Sequence, residues 1–195
     1  MNDRIRIAAL VGSLRRASLN RALLEAAMDS APEGVEIVRF DLRGVPFYDG
    51  DLEAAGDPTT VRLLKRALRD ADALLVVTPE YNHSLPAVLK NAIDWASRPP
   101  SGSVLAGKPV LLLGASAGRS ATKYALAHAH DVLVQARALP FERRLGVPLA
   151  ATLLDAEGRM ADPGVRAELA GLLADFAAAV RAGVDDAAGG GAAAA

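Results

Sequence analysis

Cysteine is absent from this chain of 195 residues. That removes disulfides, thiolate zinc sites, iron–sulfur clusters and thiol nucleophiles together, and makes a cytoplasmic location the default expectation. Long apolar runs are missing too. No stretch reaches the roughly 18 residues of a membrane span. The opening MNDRIRIAAL has neither a long apolar segment nor a small-residue cleavage site, so no secretory signal is expected there. Charge of one sign is also scarce. The 22 basic and 23 acidic residues leave a net charge of −1, which is no electrostatic footprint for nucleic acid. Two phosphate-binding signatures are absent as well: no G-x-G-x-x-G follows the first apolar run, and no G-x-x-x-x-G-K-[ST] occurs.

Apolar residues make up 51% of the chain, enough for a sizeable core. Four stretches read as strands: Ile5–Val11, Val35–Leu42, Ala73–Val77 and Val110–Gly114. The last two are continuously apolar, as strands covered on both faces are. The second alternates in its latter half, as an edge strand with one wet face does. A fifth strand is expected either near Ala138–Phe141 or within Gly146–Ala150.

Helical spacing follows each strand. Leu19, Ala22, Leu23, Ala26 and Ala27 mark the first helix. Asp57 is the expected cap of the next, with Pro58 at its first position. Leu85–Ser97 follows, with Ser84 as cap, and Ala121–Ala136 is a fourth. Asp162-Pro163 opens a fifth, with Gly183 as its stop. Alternating strands and helices imply right-handed crossovers and a parallel sheet with helices on both faces. The reading is a three-layer, doubly wound α/β fold with a five-stranded sheet in the flavodoxin-like order 2-1-3-4-5. One domain is expected over residues 1–183, with a disordered tail at 184–195 that has nothing to bury.

Ligands of such sheets sit beyond the carboxyl ends of the strands, where the order reverses. Three polar loops converge there: GSLRRAS, TPEYNHS and GASAGRS. In the first, a helix beginning near Ser18 or Leu19 aims free N–H groups and its positive end at the preceding loop. Ser13, Ser18 and Asn20 add side-chain donors, and Arg15 adds a fork suited to phosphate. The expected occupant is an anion, best a phosphate. With the dinucleotide and triphosphate signatures missing, a mononucleotide such as FMN is the natural candidate. The competing reading is that Ser18 merely caps a helix and the arginines are solvated. In the second loop, backbone N–H groups between Glu80 and Ser84 could meet the polar edge of a heterocycle; the alternative is a structural turn in which Asn82 tolerates an unusual backbone angle. In the third, small residues allow close approach by a ring, and Ser116 and Ser120 can donate or cap; an ordinary loop before a helix is equally open.

GSLRRASLN together with PEYNHSLPAVLKNAIDWAS resembles the NADPH-dependent FMN reductase family, which includes flavin-dependent quinone, chromate and azo-dye reductases of flavodoxin-like fold. The resemblance runs from about Ile5 to Val180. It implies that Ser13, Arg15, Ser18 and Asn20 hold the FMN phosphate, with Leu19 among the cofactor-binding residues. It implies that Pro79, Glu80, Tyr81, Asn82 and Ser84 line the isoalloxazine and ribityl chain, with Ser116 and Gly118 beside the ring. The third loop departs from the family pattern, with GRSAT where members often carry a second pair of glycines.

No conventional acid–base set appears, and no catalytic or metal-binding residue is assigned. His128 and His130 lie two apart on a helix and face different directions, so they read as surface or packing residues; His83 lies in the flavin-facing loop. A flavoenzyme fits this scarcity, since the cofactor carries the redox chemistry. The expected activity passes a hydride from NADPH or NADH through FMN to a quinone, azo compound, chromate or flavin. The alternatives are a flavodoxin-like electron carrier or a non-catalytic nucleotide-binding module. Small-molecule acceptors are expected as partners, with no nucleic acid and no membrane. The resemblance further implies a homodimer or homotetramer, and Phe47 and Tyr48, in the long connection Leu42–Leu52, either pack on a neighbouring copy or fold over their own core.

Overall fold

The computed structural model describes residues 4–190. Its strands are β1 (Ile5–Val11), β2 (Val35–Phe40), β3 (Ala73–Val77), β4 (Pro109–Ala115), β5 (Leu139–Pro140) and β6 (Leu145–Val147). Its helices are α1 (Leu19–Asp29), α2 (Gly50–Ala54), α3 (Thr59–Arg69), α4 (Ala87–Ala96), α5 (Lys123–Gln135) and α6 (Pro163–Gly190). The sheet is parallel in the order β2-β1-β3-β4-β5, with β6 also on β4. This is the expected flavodoxin-like, doubly wound arrangement. The order reverses between β1 and β3, whose carboxyl ends lie side by side with Val11 opposite Val77.

The period-two alternation of each strand feeds two cores. Ile5, Ile7, Ala9 and Val11 of β1 pack with α1 and α6 on one face. Ala8 and Leu10 pack with α3, α4 and α5 on the other. β3 is buried at every residue, as a central strand in such a sheet must be. β2 stands at the edge and is only partly buried, as its alternation required.

Both candidates for the fifth strand are used. β5 pairs with Pro109 and Val110 of β4, and β6 with Leu113 to Ala115. Each is too short to span β4 alone, so two stubs share one position.

Several element ends differ from expectation. Asp57 is not a cap: Pro58 holds that position, α3 begins at Thr59, and the Asp57 carboxylate accepts from buried Lys65 at 2.7 Å. Ser84 is not the cap of α4, a position taken by Pro86. α5 begins at Lys123 and not Ala121, because Ala121 and Thr122 have φ of +50° and +54° and lie outside right-handed helical space. α6 runs past Gly183 to Gly190, so that glycine does not end the helix. The disordered tail expected from 184 thus starts with helical backbone, and its last residues, 191–195, lie outside the described residues.

The Leu42–Leu52 connection folds over its own core. The Asn91 side chain donates to the Pro46 carbonyl and accepts from the Tyr48 N–H, and Trp95 Nε1 donates to the same carbonyl. Tyr48 lies edge-on to Trp95 at 5.0 Å. Phe47 points outward, 77% exposed.

Candidate flavin site

Loops from β1, β3 and β4 enclose a cleft of about 320 Å³ at the carboxyl edge of the sheet. Its walls include every residue expected there except Asn82 and Ser84, with Ala115, Ala117 and Ser120 completing them.

The first loop carries the strongest anion-binding features. Among the described residues, the backbone N–H groups of residues 13–20 have no acceptor in the protein. Ser18 is extended, at φ −99° and ψ 125°, and its Oγ accepts from the Arg21 N–H at 3.3 Å, so it does cap α1. That leaves the N–H groups of Leu19 and Asn20 and the positive helix end facing the cleft. Ser13 is 7% exposed, and its hydroxyl has no protein partner among the described residues. Arg15 is exposed and has no carboxylate within ion-pair distance among the described residues. A Cβ on Gly12 would lie 3.2 Å from both Pro79 and Pro86, so the glycine seats the first loop against the second.

Asn20 also differs from expectation. It is buried; its Nδ2 donates to the Ala115 carbonyl at 2.8 Å and its Oδ1 accepts from the Ala115 N–H at 2.9 Å. The side chain braces α1 against the end of β4, which leaves only its second amide hydrogen for a ligand.

The second loop is a tight turn. The N–H of Tyr81 donates to the Ser84 carbonyl and that of Ser84 to the Tyr81 carbonyl, each at 3.0 Å. Asn82 and His83 sit between them at φ +51° and +59°, the conformation of a type I′ turn, in which asparagine is favoured. Ser84 therefore offers no free N–H to a heterocycle, a correction to the expected donor set, whereas those of Asn82 and His83 have no acceptor among the described residues. The Ser84 hydroxyl shares a hydrogen with His128 Nδ1 at 2.9 Å, and His83 stacks on Tyr124 at 4.3 Å. The turn is thereby fastened to α5. Glu80 adds a third link, its Oε2 accepting from the N–H groups of Tyr124 and Ala125 at 2.9 and 3.2 Å. A carboxylate at a helix N-terminus is favourably placed, and here it replaces the missing side-chain cap of Thr122. These bonds cross 44 or 45 residues, so no local spacing could disclose them.

In the third loop the Ser116 hydroxyl donates to the Gly118 carbonyl at 2.8 Å, and its N–H donates to Val147. Ser116 is thus an acceptor toward the cleft, not the donor expected. Gly114 and Gly146 hold the loop's base. A Cβ on Gly114 would come within 2.0 Å of Thr122 Oγ1, and one on Gly146 within 2.0 Å of the Ala121 carbonyl oxygen.

With this geometry in view, the comparisons with known proteins are decisive. The family model described as NADPH-dependent FMN reductase matches residues 5–152. The chain belongs to that family. It is 43% identical over 167 residues to an NAD(P)H-dependent FMN reductase of Pseudomonas aeruginosa, covering 85% of this chain and 90% of the relative. It is 38% identical over 178 residues to a 2-hydroxy-1,4-benzoquinone reductase of a Burkholderia species, covering 91% and 97%. Among solved structures it is similar to FerB, a flavoenzyme NAD(P)H:(acceptor) oxidoreductase of Paracoccus denitrificans, with a TM-score of 0.84 and 31% identity over 91% of this chain and 97% of that one. This FMN reductase family member is accordingly an oxidoreductase, with FMN and NAD(P)H as the cofactor and donor of its class. Among the described residues, no helix is long and apolar enough to cross a membrane, and no group of three or more metal-ligating side chains occurs.

Proposed function

We propose that the cleft holds FMN, phosphate in the first loop and ring between the second and third, and that the enzyme reduces quinones or similar small acceptors at the expense of NAD(P)H. The observation that carries the placement is the run of unpartnered N–H groups from residue 13 to 20 beside the Arg15 guanidinium. These donors suit a phosphate. Bound FMN supplies two-electron hydride chemistry to an otherwise unreactive cleft. The chain's own part is to position and to stabilise charge. The N–H groups of Asn82 and His83, without an acceptor among the described residues and next to Tyr81 of the cleft wall, are the donors proposed to meet negative charge on a reduced heterocycle. Glu80 adds no free negative charge there, because its carboxylate is held at the start of α5. Tyr81, 48% exposed, offers a flat face at the mouth where donor and acceptor would alternate.

Quinones are favoured among acceptors because benzoquinone reductase is the named activity of a relative aligned along nearly its whole length. Azo compounds, chromate and free flavin are further candidates. Assembly as a homodimer or homotetramer in the cytoplasm completes the proposal. The test is the absorbance spectrum of the purified protein, before and after NADPH under anaerobic conditions, then after benzoquinone. A flavin spectrum that bleaches with NADPH and returns with quinone is expected. A colourless protein that takes up no FMN would defeat the reading, and so would a yellow one that NADPH leaves yellow.

A further inference from the structure

Arginine is concentrated beside the cleft as well as in it. On the β2 side of the first loop, a small recess is lined by Ser13, Leu14, Arg21, Arg39, Asp41 and Arg43 in its polar part. Ser13 belongs to both recess and cleft. Arg43 is the fixed member. Its N–H donates to Asp41 Oδ1 at 3.0 Å, its Nη1 meets Asp41 Oδ2 at 3.3 Å, and its Nη2 donates to the Leu14 carbonyl at 2.7 Å. Three arginines thus line a recess that holds one carboxylate, Asp41. Asp41 is held below the usual carboxylate range, first by the Arg43 N–H, then by the charges of Arg43 and Arg39. Among the described residues, neither Arg21 nor Arg39 has a carboxylate within ion-pair distance.

A pair of guanidiniums without an ion-pair partner among the described residues, next to the flavin cleft, calls for a second anion. The FMN phosphate already has its donors in the first loop. The remaining strong anions are on the electron donor, and the group that separates NADPH from NADH is a phosphomonoester on the adenosine ribose. Such a group carries nearly two negative charges at neutral pH and matches the guanidinium fork. The enclosed space is only about 20 Å³, so the phosphate would rest at the mouth of the recess against the guanidinium tips.

We propose that Arg21, Arg39 and Arg43 form a subsite for the 2′-phosphate of NADPH, which sets a preference for NADPH over NADH; this rests on the cleft being the flavin site. A site built to pair a charged group discriminates strongly against the analogue that lacks it.

Arg39→Gln is the first variant, since Arg39 is an exposed edge-strand side chain and no described element depends on it. The KM for NADPH should rise about tenfold or more, while that for NADH stays within about twofold. Calorimetric titration of the flavin-loaded protein with adenosine 2′,5′-bisphosphate and with AMP gives a readout independent of turnover. The wild type should bind the bisphosphate more tightly, and Arg39→Gln and Arg21→Gln should lose that advantage. Wild-type enzyme that uses NADH as well as NADPH would overturn the subsite, as would equal losses for both donors in the variants, or a bisphosphate bound no better than AMP. Those failures leave the flavin spectrum intact. A protein without flavin would instead strike at the reading of the cleft itself.

Discussion

Residue by residue, the two polar side chains at the entrance to α1 divide the labour. Arg15 is exposed and anchors nothing among the described residues, whereas Asn20 is buried and bonded twice to Ala115. Arg15→Ala should therefore weaken FMN binding by about tenfold to a hundredfold, the value of a charge-assisted hydrogen bond, and leave folding stability within about 0.5 kcal/mol. Fluorescence titration of the apoprotein with FMN measures the first, and thermal denaturation the second. Unchanged flavin affinity would remove Arg15 from the site. Both residues were legible as polar groups at the head of a helix. What the sequence could not disclose was which one faced outward, because the partner of Asn20 lies 95 residues away. The same applies to Glu80, whose partners sit on the next helix but one, and to Arg39, which reads in isolation as an ordinary wet position on an edge strand.

The elements themselves were largely foreseeable, because strand period and burial leave little choice. Four strands and five helices announce themselves through apolar spacing. The start of α5 is an exception with a clear cause, backbone shaped by distant neighbours. Ala121 and Thr122 look helical by composition, yet Ala121 is pressed against Gly146 and Thr122 against Gly114, both in left-handed conformation. A left-handed residue other than glycine costs roughly 1–2 kcal/mol. Ala121→Gly should therefore stabilise the protein by about 1 kcal/mol, and Gly146→Ala should destabilise it by about 3 kcal/mol through overpacking against backbone. For a domain of this size these correspond to a rise of a few degrees and a fall of roughly 6–12 °C in Tm. Circular dichroism melting curves would check both signs.

Across the whole molecule, acid sensitivity follows from carboxylates held by their own neighbours. Asp155 is lowered from the ordinary 3.8, mainly by the Arg159 N–H, then by the Arg159 side chain. Asp41 is lowered in the same way by Arg43. Groups whose folded pKa is depressed add stability above their unfolded value, and lose it as pH falls through the folded one. Stability should thus decline below pH 3.8, and Asp155→Asn should make that decline shallower while lowering stability at neutral pH. Urea denaturation at pH 7 and at pH 3 separates the two; an unaltered acid slope would assign the sensitivity elsewhere.

The broken border beyond β4 has its own consequence. An exposed strand edge is a template on which a foreign chain can copy itself. Here two residues pair, the chain departs, and three more return further along. An incoming polypeptide would meet a pair of offset stubs and find no uninterrupted ladder to extend. At the opposite rim β2 is continuous, but it displays Glu36 and Arg39, and charge there discourages stacking. Both margins of the sheet thereby resist runaway growth.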